Sequence, residues 1–312
     1  QASGKLPEET GLFVIAMGKM GAGELNYSSD IDLVVMFDDR KMDHFEAAQR
    51  RQILVRATRA ATKLLNDITE YGYVFRTDLR LRPDPSVTPI CVAMSSAMDY
   101  YESLGRTWER AAFIKARVCA GDRKAGADFL DQMVPFVWRR YLDFAAIEEA
   151  HALRLKIRTK TGASGAIYVP GHDVKLGRGG IREIEFFTQT RQLISGGRDA
   201  DLRSCQTVAA LDQLAAKDWI TEATKNQLQC SYRVLRHTEH AIQMIRDAQT
   251  QIVPTSDEGI GRVAGLLGLS ASEFIMQKGA HLNAVHAITE SFFAPTPANA
   301  PEVALDDHHE IT

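Results

Sequence analysis

The chain has 312 residues, a formal net charge of -3, 45% hydrophobic and 25% charged residues. That length supports roughly two domains with a sizeable core. The near-neutral balance gives no electrostatic footprint for nucleic acid, and no apolar run of membrane-spanning length or secretory leader is present. Cys91, Cys119, Cys205 and Cys230 are far apart, without CxxC spacing, which suits a reduced, cytoplasmic setting better than a disulfide scaffold. The chain opens on Gln1 rather than Met and reads as a piece of something longer.

Residues 1–11 form a polar lead-in. Two short, partly β-branched apolar runs come next, 12–17 and 31–37, as expected of strands buried in a sheet. From 44 to 69, Phe45, Ala48, Ile53, Ala57, Ala60, Leu64 and Ile68 recur at helical spacing, which predicts an amphipathic helix covering one sheet face. Residues 73–83, YVFRTDLRLRP, alternate. They predict a third strand with Thr77, Leu79 and Leu81 on one face and Asp78, Arg80 and Arg82 on the other. Prolines at 83, 85 and 89 interrupt regular structure after that strand. Helical patterns then cover 95–104, 106–120, a long stretch within 128–160, 181–195, and segments near 204–217, 221–252 and 270–293. Residues 161–180 are a glycine-rich loop, and 294–312, Pro- and Ala-rich and then acidic, predict a flexible tail or linker. The expected fold class is α+β: a small mixed β-sheet with helices over about 1–120, then a helical, bundle-like domain over about 121–293.

Between the first two strands lies GKMGAGELNYSSD. Asp30 and Asp32 stand two apart at the mouth of a strand, so both carboxylates point to one face. Like charges so placed repel, and a divalent cation relieves them; Mg²⁺ prefers oxygen ligands and substrate phosphates. Asp78 on the third strand supplies a third carboxylate. Asp30, Asp32 and Asp78 are therefore the expected metal ligands and catalytic residues. The bland reading, strand-end aspartates in solvent or a helix cap, is weakened by the surrounding glycines, serines and arginines. Gly18 and Gly21 allow the backbone to approach a phosphate, and Ser28 and Ser29 offer hydroxyl and N–H groups; neither GxxxxGK[ST] nor GxGxxG is present. Lys19 is read as solvated or as a phosphate contact. Arg80 and Arg82 have planar forks suited to phosphate oxygens. In KLGRGGIREIEF, residues 175–186, glycines precede a helix start that attracts anions. Glu183 and Glu185, about 200° apart on a helix, would send one carboxylate to the site and the other to Arg178 or Arg182. In WERAAFIKAR, residues 108–117, Glu109, Lys115 and Arg117 either approach a nucleotide or form an ordinary amphipathic face. The nine histidines show no HExxH spacing, so no zinc is assigned, and no GxSxG or Cys–His pattern suggests acyl transfer.

Taken in order, GKMGAGELNYSSDIDL, GYVFRTDLRLRP, TWERAAFIKAR, RRYLDF and KLGRGGIREIEF resemble the bifunctional glutamine synthetase adenylyltransferase/adenylyl-removing enzymes. That family carries two related nucleotidyltransferase halves of the DNA polymerase beta-like superfamily, and the likeness runs from about residue 12 to 293. The adenylylating half of the family reads VDARLRP and DEGGITDIEF; the deadenylylating half reads VDMRLRP and LGAGGIREIEF. LGRGGIREIEF here resembles the latter. The family's helices before the first strand and its second half are missing. The resemblance implies a nucleotidyltransferase domain holding Mg²⁺ on Asp30, Asp32 and Asp78. It implies a reaction in which inorganic phosphate attacks an adenylylated tyrosine of glutamine synthetase, with Arg80 or Arg82 placing the phosphate, to give ADP and unmodified enzyme. Phosphate, ADP or ATP, glutamine synthetase and the PII signal protein are the implied partners, in the regulation of nitrogen assimilation. Adenylylation from ATP and a non-catalytic nucleotide- or PII-sensing module are the rival readings; a nucleic-acid polymerase on the same fold is more distant, because no basic stripe is evident.

Overall fold

The computed structural model describes residues 10–41, 45–140, 166–245 and 247–293. Its first part is built on a mixed sheet of five strands. Strand β1 (Leu12–Ala16) runs antiparallel to β2 (Ile31–Phe37), with Leu12 opposite Phe37 and Ala16 opposite Leu33. Two short strands pair in parallel with the other edge of β2: β3 (Thr77–Asp78) beside Ile31 and Asp32, and β4 (Cys91–Ala93) beside Val35 to Phe37. Strand β5 (Arg117–Gly121) closes the far side of β1, antiparallel, with a bulge at Val14/Ile15.

Strand β2 is an almost unbroken apolar run because both its faces are covered. Val34 and Met36 pack with Phe13, Ile15 and Phe129 on one face. Val35 and Phe37 pack with Leu54 on the other. The Leu54 face is closed by α2 (Ala47–Asn66). The Phe129 face is closed by α3 (Met94–Ser103), α4 (Thr107–Phe113) and α5 (Arg123–Val137). Asp122 caps α5 by accepting from the Ala125 N–H, and the Phe129 ring lies 6.0 Å from Phe13. The sheet's core thus continues to Val137. A one-turn helix, α1 (Gly18–Gly21), comes directly after β1.

Helices α6 (Ile181–Ser195), α7 (Thr207–Ala216), α8 (Glu222–Met244), α9 (Asp257–Leu266) and α10 (Ala271–Phe293) form the second part. Their shared core includes Ile184, Leu211, Leu235, Val263, Phe274 and Leu282. Helix α8 packs against the other four. Thr221 and Ser256 cap α8 and α9 through their hydroxyls. Among the described residues no single helix is long and apolar enough to cross a membrane.

Three local expectations are corrected. Residues 106–120 are not one helix: α4 ends at Phe113 and the chain returns as β5, because the open edge of β1 offers unpaired backbone groups that a strand satisfies and a helix cannot. Residues 73–83 are not one strand: the ladder holds only Thr77 and Asp78. Beyond it Arg82 donates to the carbonyls of Leu79, Pro85 and Thr88 and holds the chain in turns. The pattern over 221–252 ends at Met244, and α9 begins at Asp257. The tail 294–312, and the greater part of the long helix expected within 128–160, lie outside the described residues.

Candidate active site

Strand pairing assembles the site. The parallel register sets Asp78 of β3 beside Asp32 of β2, and Asp30 precedes β2 by one residue. One carboxylate oxygen from each of Asp30, Asp32 and Asp78 lies within 4.8 Å of the others. Burial, then the charges of Asp30 and Asp78, push the Asp32 carboxyl up to about 6. The Arg80 guanidinium holds Asp78 below the usual carboxylate range, donating from Nε (2.8 Å) and Nη2 (2.5 Å) to Oδ2. An all-oxygen donor set with one carboxylate destabilised by its neighbours suits a hard divalent cation such as Mg²⁺.

The phosphate candidates separate into two groups. Gly18 has φ +53, and a Cβ there would stand 2.7 Å from Asp32 Oδ2; the glycine lets α1 pass directly over the carboxylate. Ser29 donates to the Asp30 carbonyl (3.1 Å) and lines the cleft above the aspartates. Gly21 is close-packed instead: a Cβ would come within 1.8 Å of the Lys115 carbonyl oxygen. Ser28 is buried and its hydroxyl accepts from Arg76 Nη2 (2.9 Å), tying the loop to the segment entering β3. Arg80 sits exposed on Asp78, and Arg82 is engaged by the carbonyls of the turns after β3.

The cleft encloses about 280 Å³. Its carboxylate wall comes from the sheet unit, and its facing walls come from α4, Lys175 and α6. On α6, Arg182, Glu185, Phe186 and Gln189 line it; their i, i+3, i+4, i+7 spacing defines one helix face. Glu185 and Glu183 point apart as the spacing predicts, but Glu183 goes to α10 rather than to the expected Arg178 or Arg182. Glu185 is buried and accepts from Lys115 Nζ at 2.6 Å. Burial alone would raise its carboxyl; the Lys115 ammonium overrides that and holds it low. Glu183 turns to α10, accepting from the Thr289 hydroxyl at 2.8 Å. Glu109 is absorbed by the start of α4, accepting from the Arg106 N–H (2.8 Å) and the Tyr100 hydroxyl. Arg117 donates to the carbonyls of Gly21 and Met20. Lys175 and Arg182 line the cleft, and neither forms an ion pair among the described residues.

Sequence reasoning missed a second role for the glycine loop. Lys19 donates to both carboxylate oxygens of Glu239 on α8, at 2.7 and 2.9 Å; burial, partly offset by Glu239, lowers its ammonium to about 8. Arg236 on α8 donates to the Glu24 carbonyl (2.5 Å) and to Asn26 Oδ1 (2.6 Å). The Tyr232 hydroxyl donates to Glu24 Oε2 (3.0 Å), and the Thr207 N–H donates to Glu24 Oε1 (3.2 Å). His240 Nε2 lies 2.8 Å from Asn26 Oδ1. A clue existed: Tyr232, Arg236, Glu239 and His240 recur at i, i+4, i+7, i+8, a polar stripe beside the apolar one of Leu228, Leu235 and Ile242.

A family model of glutamate-ammonia ligase adenylyltransferase matches residues 2–132, and one of GlnD PII-uridylyltransferase matches residues 148–293. Proteins named bifunctional glutamine synthetase adenylyltransferase/adenylyl-removing enzyme are similar over most of the chain. That of Rhodopseudomonas palustris (strain HaA2) is 48% identical over 96% of this chain and 30% of its own length. That of Mesorhizobium japonicum is 48% identical over 96% of this chain and 31% of its own. That of Bradyrhizobium diazoefficiens is 52% identical over 84% of this chain and 26% of its own. The chain therefore spans less than a third of the relatives it matches. With the acidic cluster built on the expected strands, and with this identity along nearly its whole length, the chain belongs to the glutamine synthetase adenylyltransferase/adenylyl-removing family.

Proposed function

We propose that this segment is a metal-dependent nucleotidyltransferase and the deadenylylating half of its enzyme. It would use inorganic phosphate to release ADP from an adenylylated tyrosine of glutamine synthetase. The observation that carries nucleotidyl transfer is the convergence of Asp30, Asp32 and Asp78, two of which, Asp30 and Asp32, line a cleft. The direction rests on LGRGGIREIEF, whose helix α6 turns Arg182 and Glu185 into that same cleft.

A phosphate oxygen attacks the α-phosphorus, the bond from phosphorus to the tyrosine oxygen breaks, and the phenolate leaves and takes a proton from solvent. Asp30, Asp32 and Asp78 would hold Mg²⁺, which supplies charge withdrawal from the α-phosphate oxygens and from the leaving oxygen. A phenol has a pKa near 10, so no strong general acid is required of the chain. Arg80 orients Asp78 and is close enough to the cluster to meet an incoming phosphate. Lys175 and Arg182, cationic and without ion-pair partners among the described residues, offset the charge that two phosphates bring together. Glutamine synthetase is the protein substrate, the PII signal protein a regulatory partner, and the cytoplasm the compartment in this reading.

The test is incubation of the chain with adenylylated glutamine synthetase, Mg²⁺ and inorganic phosphate. ADP should appear in step with loss of AMP from the tyrosine, and Asp32→Asn should abolish both. Transfer of AMP from ATP without phosphate-dependent ADP release would reverse the assigned direction. Full activity of Asp32→Asn would remove the metal site from the mechanism.

A further inference from the structure

We propose that the apolar end of the cleft is a nucleobase slot, with Trp108 as its stacking surface and Gln189 as the group that selects adenine. The proposal deepens the nucleotidyl-transfer reading and rests on it; it does not depend on the direction of the reaction.

Two helix faces meet across the cleft. On α4, Trp108, Ala111 and Ala112 line it, with Lys115 one turn further on. On α6, Arg182, Glu185, Phe186 and Gln189 line it. Residues 108, 111 and 112 share one face of α4, and residues 182, 185, 186 and 189 share one face of α6. The 2.6 Å contact between Lys115 and Glu185 fastens one stripe to the other. The lining is therefore mixed in its chemistry. The sheet contributes the carboxylates that suit a metal and phosphate. The helix pair adds an aromatic ring, two small methyls and a second aromatic, Phe186, together with Leu81.

Three features favour a flat heterocycle at that end. Trp108 is 39% exposed although it lies at a cleft wall, so ring surface is available to a ligand. Ala111 and Ala112 keep the wall beside it low, leaving room for a planar ring. Gln189 is half-buried and is the sole side-chain amide lining the cleft, and that amide makes no hydrogen bond among the described residues. A primary amide offers one donor and one acceptor side by side. That pattern complements the N6 amino group and N7 of adenine, whereas guanine presents two acceptors, O6 and N7, on the same edge. The volume of about 280 Å³ lies near the lower end for small-molecule sites, about 300–1,000 Å³, and suits one mononucleotide rather than a larger ligand.

The test is titration of the 312-residue chain with ADP, GDP and pyrophosphate in Mg²⁺, by calorimetry and tryptophan fluorescence. ADP should bind tightest and quench fluorescence; pyrophosphate should bind without quenching. Trp108→Ala should weaken ADP about tenfold or more, the usual loss of one base–aromatic stack, and leave pyrophosphate unchanged. Trp108→Phe should keep ADP binding by calorimetry yet lose the quench, since the remaining tryptophans, Trp138 and Trp219, do not line the cleft. Gln189→Leu should reduce the preference for ADP over GDP about tenfold, the discrimination expected of one bidentate base contact. Equal binding of all three ligands to the unmodified chain would overturn the slot and leave the nucleotidyl-transfer reading standing. Equal weakening of ADP and pyrophosphate in Trp108→Ala would also overturn it. Absence of binding by all three in Mg²⁺ would overturn both.

Discussion

The Lys115–Glu185 pair offers the sharpest physical test of how the two parts of the chain are held. Both side chains are no more than 8% exposed, and Nζ lies 2.6 Å from Oε1. Glu185→Gln keeps shape and removes the charge. Lys115 then retains only Glu24 Oε2, at 3.4 Å. Breaking a buried pair by removing one partner costs roughly 3–5 kcal/mol; the surviving contact to Glu24 argues for the lower end, about 3 kcal/mol. Replacing both partners, Lys115→Met with Glu185→Leu, leaves no unpaired charge and should cost less than the single change. The pH dependence is set by the directions of shift. Glu185 is held below its ordinary carboxyl range, so its contribution is full above about 4.5 and is lost as pH falls through the lowered folded value. Lys115 is held above its ordinary range, so its contribution is full below about 10.4 and is lost as pH rises beyond that. The single-mutant penalty should therefore be flat between about pH 5 and 9. Urea unfolding monitored by circular dichroism measures it. A Glu185→Gln protein within about 0.5 kcal/mol of the parent, or a double mutant worse than the single, would refute the reasoning.

The same geometry sets further outcomes. Because the Asp32 carboxyl is raised to about 6, protons compete with a cation there; Mg²⁺ or Mn²⁺ affinity, read by calorimetry, should fall as pH drops below about 6, and equal affinity at about pH 5 and pH 8 would contradict this. In metal-free protein the folded chain holds that proton while the unfolded chain has lost it, so stability should decline as pH rises from about 4 to 6, and Asp32→Asn should remove the slope. Gly21→Ala drives a methyl to within 1.8 Å of the Lys115 carbonyl; the backbone must shift, and unfolding free energy should drop by about 3 kcal/mol. Arg80 is 83% exposed on its side chain, so Arg80→Ala should leave the urea midpoint unchanged while tightening Mn²⁺ binding, since a competing cation is gone. Arg236→Ala strips the 2.5 and 2.6 Å bonds to Glu24 and Asn26 and should expose the 22–29 loop to proteolysis; an unchanged cleavage rate would deny that α8 fixes the loop.

The features legible in the sequence were those that depend on neighbours in the chain. The DxD at the entry to β2 was legible because alternation along an extended chain is a local property. The helix at Ile181 was legible from its glycines and its period. Strand β5 was not: RVCAG continues a helical pattern, and its conformation is decided by the open edge of β1, about 100 residues earlier. Ser28 and Ser29 looked interchangeable, yet one hydroxyl is buried against Arg76 and the other faces the cleft. Nothing local distinguishes them. Arg82 alternates with Arg80 in sequence, but the strand ends at Asp78, so the shared face that alternation implied does not extend to it.

The glycine-loop signature is thereby divided by function along its length. Gly18, Ser29, Asp30 and Asp32 face the cleft. Glu24 and Asn26 face α8, where Arg236, Tyr232 and His240 receive them, and Lys19 belongs to both sets, lining the cleft while it donates to Glu239. The two sets interleave within a single loop, so neither can move alone. Helix α8 contacts Lys19, which adjoins Gly18, which in turn lies against Asp32 Oδ2. Asp32 is the carboxylate of the three that burial and the charges of Asp30 and Asp78 push up. The helical part is thus joined to the carboxylate cluster by a short chain of buried, charged contacts. Such contacts are expensive to break singly and therefore hold one arrangement. This explains why the loop carries Glu-Leu-Asn between its glycines and its serines, a feature that phosphate binding alone does not require.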